Sequence, residues 1–290
     1  MIYDPPRFLP GGDRFLLIEF GDEMTLELNF LAQDLAAQTA AQKLTGVIET
    51  APCFATLLVH YEPDEIDFAD LVKEMTRLYE GVDIEGDFEL PSRLLSLPAV
   101  YLDPWTEDAM KKYRDEINPD KEPDPEFIAG LNDLADVDQF VRVHAGTEYW
   151  VAALGFWPGT PFMMPLDPRC KLVAPKYNPP RTFTPKGTIG MGGSSTAIYP
   201  VDGPGGYQIF ARTPVPIWDM NRGLPQFEQA PYLLRPTDRL KFIPCSVEEF
   251  EAAERQVSEG TYQINIAEYQ KISLKQYKHW VSGLDMEQRF

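Results

Sequence analysis

The chain has 290 residues and carries 26 Lys plus Arg against 45 Asp plus Glu, a formal charge of −19. That length suits one large domain or two modest ones, and an apolar share of 44 % supplies a proper core and excludes a disordered chain. The charge argues against a general binder of nucleic acid or of anionic membranes, because phosphate groups need Lys and Arg to displace their counterions.

No stretch approaches the ~20 apolar residues of a membrane span. Met1-Ile2-Tyr3-Asp4-Pro5-Pro6 has neither a basic n-region nor an apolar h-region, so no secretory signal is expected there. Cys53, Cys170 and Cys245 form an odd, sparse set, which reads as reduced thiols in a cytoplasmic protein. His60, His144 and His279 are equally scattered, so no Cys/His metal cluster is expected.

Phe15–Phe20 reads as a strand closed by Gly21-Asp22. Thr25 then serves as an N-cap for a helix with Leu28, Leu31 and Leu35 on one face. Gly46–Glu49 and Thr56–Tyr61 read as strands, and Asp67 caps a second helix whose Phe68, Leu71, Val72, Met75 and Leu78 fall at helical spacing. Arg93–Leu97 reads as one more strand. The order β-α-β-β-α-β predicts a ferredoxin-like domain, taken over residues 1–92.

Residues 103–139 hold twelve acids and four bases, interrupted by Pro119, Pro123 and Pro125. The plain expectation is a solvated helical excursion; a docking surface for another chain is the functional one. From 140 to 245 the texture is all-β. Val141, Val143, Tyr149 and Val151 suggest strands, and Gly and Pro arrive every few residues, which points to a barrel or sandwich. Phe242-Ile243-Pro244 would close its last strand. Helices are expected over 247–257 and over 273–283, the latter with Leu274, Tyr277 and Trp280.

The window 168–218 reverses the chain's charge. Six bases (Arg169, Lys171, Lys176, Arg181, Lys186 and Arg212) face a single acid, Asp202. Bases beside glycine turns make a site for a carboxylate, bicarbonate or phosphate, with bare backbone N–H groups adding to the field. The competing expectation is that they pair with the acidic segment 103–139. Two glycine clusters flank them, Gly190-Met191-Gly192-Gly193 and Gly203-Pro204-Gly205-Gly206-Tyr207-Gln208. Neither is a Walker A loop, and both also read as tight turns. Gln208 has the reach to hold an amide, or is an edge residue. Ser194, Ser195 and Cys170 lack a sequence sign of a base partner, no G-x-S-x-G elbow is present, and His144 among apolar residues reads as structural.

Leu166-Asp167-Pro168-Arg169, Lys176-Tyr177-Asn178-Pro179-Pro180-Arg181-Thr182, Pro185, Gly190, Gly192-Gly193, Tyr199, the second glycine cluster and Arg212-Thr213 together resemble the carboxyltransferase subdomain C family, also called allophanate hydrolase subunit 1. Gly12-Asp13-Arg14, Glu19-Phe20-Gly21 and Leu233-Leu234-Arg235-Pro236 fit the same family. It includes the urea carboxylase carboxyltransferase domain, the B subunits of 5-oxoprolinase and a sporulation-kinase inhibitor. The excursion after Pro91 and the tail from Gly260 lean toward the urea carboxylase branch. Gly155-Phe156-Trp157-Pro158-Gly159-Thr160-Pro161 looks like the hydrolase branch instead. Ala55 and Ser195 depart from the family's usual arginine and glutamine.

The resemblance implies an α+β protein. A ferredoxin-like domain (1–92) is followed by a cyclophilin-like β-barrel (93–246) with the acidic insertion 103–139, then a helical C-terminal extension (247–290). It implies a carboxyltransferase subunit moving a carboxyl group from carboxybiotin to a urea- or amide-type nitrogen. The partners implied are a homologous subdomain D chain and a biotin carboxylase with its biotin carrier protein; biotin and ATP lie on those partners. In this reading Lys176 and Arg181 bind the carboxyl oxygens, and Asn178, Tyr207 and Gln208 hold the acceptor. Arg212 is a second anion contact or structural, and Gly192 and Gly193 line the site. An ATP-dependent 5-oxoprolinase or amide hydrolase subunit is the first alternative, and a non-catalytic histidine-kinase inhibitor the second.

Overall fold

The described residues of this computed structural model, 1–82, 89–268 and 270–290, fall into two units: Met1–Ser92 with Gln270–Gly283, and Arg93–Tyr269 with Leu284–Phe290. The first opens with β1 (Ile2–Pro10), β2 (Phe15–Gly21), α1 (Leu26–Gln42), β3 (Val47–Cys53), β4 (Thr56–Tyr61), α2 (Phe68–Glu80) and β5 (Glu89–Pro91). The caps act as their sequence suggests: Thr25 accepts from the Leu28 amide and Asp67 from the Asp70 amide. Alternation along β2 and β4 buries Leu16, Ile18, Phe20, Leu57, Val59 and Tyr61, on which Leu28, Leu31, Leu35, Leu71, Met75 and Leu78 of the helices pack.

The sheet runs β1-β2-β4-β3, antiparallel throughout. This corrects the expected ferredoxin-like order. The place beside β2 that the strand at Arg93–Leu97 was to fill belongs to β1, which sequence reading did not find. Its Pro5, Pro6 and Pro10 argue against a strand. Proline is tolerated only where no ladder donor is needed, and among the described residues β1 is an edge strand paired with β2 alone.

The second unit contains β6 (Leu94–Tyr101), α3 (Pro104–Glu116), α4 (Asp124–Leu131), α5 (Val137–Ala145), β7 (Glu148–Leu154), β8 (Pro161–Pro165), β9 (Arg181–Thr184), β10 (Thr188–Gly192), β11 (Ser195–Ile198), β12 (Gly203–Gly205), β13 (Gln208–Arg212), β14 (Arg239–Pro244), α6 (Val247–Ser258) and β15 (Asn265–Ala267). Strands β13-β10-β11-β8-β7-β14-β6 close into a barrel through pairing of β13 with β6. Every neighbour pair in the ring is antiparallel except β14 with β6. Leu95, Leu97, Val151, Met163, Ile189, Phe210, Leu240 and Phe242 fill it.

The acidic segment is not a solvated excursion. Ile128, Ala129, Phe140 and Val143 from α4 and α5 join the barrel's own core, while Ala109 and Met110 of α3 pack on Tyr199 and Ile209. Its acids are exposed except Asp103 and Asp124, which are buried. Val141 and Val143, expected on a strand, lie in α5. Asp136 caps that helix by accepting from the Gln139 amide, and Val137, Phe140 and His144 share one helical face. The tail is not one helical extension either. It adds β15 to β6, whereas β16 (Lys271–Ser273) pairs with β5 and leads into α7 (Leu274–Ser282) in the first unit. Among the described residues no helix is long and apolar enough to cross a membrane.

Candidate functional site

The chain from Ala174 to Arg181 is pinned to the barrel at successive residues. Ala174 and Gly193 exchange two backbone hydrogen bonds of 2.9 and 2.7 Å. Gln208 Nε2 donates to the Pro175 carbonyl (2.6 Å), and the Tyr177 amide donates to the Gly206 carbonyl (2.6 Å). Gly192 is required for space, since a Cβ there would lie 2.6 Å from two Tyr207 ring carbons and 3.0 Å from Lys176 Cγ. Gly193 turns the β10–β11 hairpin at φ +63°. Gly192→Ala is therefore expected to destabilise the barrel unit by about 1–3 kcal/mol and to displace the Tyr207 ring. Urea unfolding and a structure of the variant check both.

These restraints leave an open cleft of about 380 Å³. Its walls are Phe156, Trp157, Phe162, Tyr177, Tyr199 and Tyr207, with Pro180 and Pro204, and among the described residues Lys176 is the charged side chain that lines it. Lys176 Nζ lies 5.3 Å from the Tyr207 ring centroid, a cation–π contact. Among the described residues no carboxylate comes within ion-pair distance of it. Lys176 is exposed, so its charge stands open to solvent at the mouth of the cleft. Trp157 Nε1 and Thr160 Oγ1, also in the lining, are occluded and have no hydrogen-bond partner among the described residues.

Arg181 does not share the cleft with Lys176, which corrects the expectation that the two hold one anion. Its side chain is 1 % exposed. Nη1 donates to the Tyr207 carbonyl (2.6 Å) and lies 3.9 Å from Asp124 Oδ2, and the guanidinium stacks 4.4 Å from the Tyr177 ring centroid. Asp124 is fully buried and accepts from the Tyr177 hydroxyl, the Ile209 amide (2.7 Å) and Lys121 Nζ (2.9 Å). Arg181 and Asp124 thus hold together the layers behind the cleft wall. The expectation that the bases pair with segment 103–139 holds for Arg181; Arg169 pairs instead with Asp167, and Arg212 with Glu254.

The other expected contacts are elsewhere. Asn178 is exposed and outside the cleft lining. Gln208 is buried, is not part of the cleft lining and spends its amide on Pro175, while its Oε1 has no hydrogen-bond partner among the described residues. Gly192 and Gly193 act through shape. Tyr207 alone of that group stands in the cleft with Lys176. Arg212 lines a separate cavity of about 270 Å³ beside α6. Trp157, Thr160 and Phe162 were not singled out as site residues from sequence; the signal was the Gly155–Pro161 stretch, whose Phe156 and Gly159 take positive φ. Neither Cys170 nor His144 is set up as an activated nucleophile or base: burial pushes the Cys170 thiol up to about 12, and His144 is enclosed in the barrel core.

A barrel that pins one loop to form an aromatic cleft, with a lysine unpaired at its edge, has the form of a binding site for flat, anion-bearing ligands. Residues 6–227 match the carboxyltransferase domain family, subdomain C and D, and the chain belongs to that family. It is 28 % identical over 94 % of its length to urea amidolyase of Saccharomyces cerevisiae, spanning 15 % of that protein. It is 30 % identical to the B subunit of 5-oxoprolinase from Bacillus subtilis, with 83 % of this chain and 93 % of the relative covered. Kluyveromyces lactis urea carboxylase superposes with a TM-score of 0.86 at 28 % identity, over 96 % of this chain and 25 % of that one. The chain therefore spans only a small part of its urea-processing relatives.

Proposed function

We propose that this chain is the subdomain C part of a urea carboxylase-like carboxyltransferase, acting with a subdomain D chain and a partner that carries biotin, ATP being used elsewhere in the assembly. The observation that carries the reading is Lys176, an unpaired cation at an aromatic cleft. Biotin's neutral bicyclic ring fits apolar walls, and a carboxyl group on it matches the Lys176 ammonium. Biotin, when delivered by its carrier, supplies the carboxyl group to be moved. Lys176 holds the carboxyl oxygens, and the low-dielectric aromatic faces around it strengthen that attraction. Tyr207 orients Lys176, and the Arg181–Asp124 pair keeps Tyr207 and Tyr177 in register behind it.

The acceptor is a urea- or amide-type nitrogen. Support for this comes from the match to urea amidolyase and urea carboxylase over nearly the whole chain, tail included. A second reading, the B-type component of an ATP-dependent 5-oxoprolinase, rests on the 93 % coverage of the Bacillus subtilis protein.

The test is substrate-dependent loss of label from carboxybiotin in the complex assembled with the subdomain D chain and biotin carrier. Lys176→Ala is expected to lower it at least tenfold, about 1.4 kcal/mol of transition-state stabilisation. Survival within about threefold, under ~1 kcal/mol, overturns the assignment. ATP-dependent ring opening of a lactam by the assembled complex, with no loss of label from carboxybiotin, would favour the second reading.

A further inference from the structure

We propose that the cavity beside α6 binds a small carboxylate with an apolar body, independently of the aromatic cleft. Arg212 is its centre. The guanidinium lies beside a pair of rings that pack on each other with centroids 4.9 Å apart, its Cζ 5.0 Å from the Trp105 centroid and 5.2 Å from that of Phe250, and its Nε donates to the Lys186 carbonyl at 2.8 Å. Plane and direction are thus set before any ligand arrives, which removes much of the ordering penalty of binding.

Among the described residues the remaining fork of the guanidinium has no acceptor within hydrogen-bond distance. Its ion-pair partner, Glu254 Oε1, is 3.8 Å from Nη2 on a half-exposed side chain, beyond hydrogen-bond distance. The buried Asp103, which feels the Arg212 charge, has its oxygens occupied by the Thr106 amide (2.8 Å) and hydroxyl (2.7 Å). Lys186 lines the same cavity and is exposed. Its backbone amide donates to Asp202, and among the described residues its ammonium has no ion-pair partner.

The cavity is also lined by Pro200, Pro214, Val215, Pro216, Ile217 and Val257. A planar fork suits a carboxylate bidentately, and the Pro/Val/Ile wall suits an attached hydrocarbon. Inorganic phosphate would leave that wall uncovered, and a neutral amide would leave the fork without an anion. The volume of about 270 Å³ holds only a small molecule.

Butyrate is the probe, observed on the whole chain by saturation-transfer NMR at constant ionic strength. Saturable binding is expected, weakened at least tenfold by Arg212→Gln and about threefold by Lys186→Ala, with butyramide not binding and phosphate binding more weakly. Absence of saturable binding, equal binding of phosphate, or affinity unchanged in both variants overturns the proposal. Should Arg212→Gln fail to fold, Lys186→Ala decides, because it removes only an exposed side chain: a threefold loss supports the site and no change refutes it. Lys176→Ala is expected to leave butyrate affinity unchanged, so failure here leaves the carboxyltransferase reading untouched.

Discussion

Asp124→Ala is expected to destabilise the barrel unit by about 3–5 kcal/mol, the range for removing one partner of a buried ion pair. Four groups lose a partner at once. Arg181, 1 % exposed, keeps its charge with no carboxylate; the Ile209 amide and Tyr177 hydroxyl are left unsatisfied; Lys121 loses its ion pair. Each unsatisfied buried group alone costs about 1–3 kcal/mol. Asp124→Asn should fall between, since it keeps an acceptor but not the charge. Glu126→Ala, two residues on and exposed, should stay within about ±0.5 kcal/mol. Urea unfolding of the three variants checks the order. If Asp124→Ala unfolds like Glu126→Ala, the pair is not what holds the layers behind the cleft.

His144 is expected to make stability fall as pH drops through the acid range. It is 1 % exposed, its Nδ1 lies 2.8 Å from the Tyr101 hydroxyl and its Nε2 3.4 Å from Thr196 Oγ1. Burial lowers its pKa from 6.5 to about 3. The neutral ring is therefore favoured in the fold, while the unfolded chain takes up a proton below about pH 6.5. Stability from this group is complete above about pH 6.5 and declines toward about pH 3, by up to about 1.4 kcal/mol per unit. The comparison with His144→Gln isolates it, because the carboxylates titrate in both proteins. The unfolding free energy of the wild type relative to the variant should drop by about 3 kcal/mol between about pH 7 and pH 4. A difference that does not change with pH would mean that the ring is already charged or accessible in the fold.

Much of the site was legible only in outline. The charge reversal over 168–218 pointed to the segment that carries Lys176, Tyr177 and Tyr207 of the cleft, and the glycines marked where backbone and rings come close, as Gly192 does against Tyr207. Charge alone could not say that the three cations would part company. Lys176 stands in an aromatic cleft, Arg181 is sealed against Asp124, and Arg212 lies against the packed rings of Trp105 and Phe250 beside α6. Each outcome depends on a residue far away in the chain. The aromatic walls from Trp157 and Phe162 were hidden for the same reason, since an aromatic on a hairpin turn looks alike whether it faces solvent or a ligand.

Local rules were enough for the elements themselves. Thr25 and Asp67 announced their helices, alternation marked β2 and β4, and the spaced motifs of residues 166–213 carried the family. Period also marked β6 as a strand, but placed it in the wrong sheet, and proline hid β1 altogether. The physical reason is common to both. Side-chain periodicity records which face of a strand is buried, whereas hydrogen bonding along its edge depends on which backbone the closed chain brings alongside. Amino-acid order therefore determined the elements, their apolar faces and the kinship of this protein; only the tertiary structure decided which edges join and which of its many charges remain without a partner.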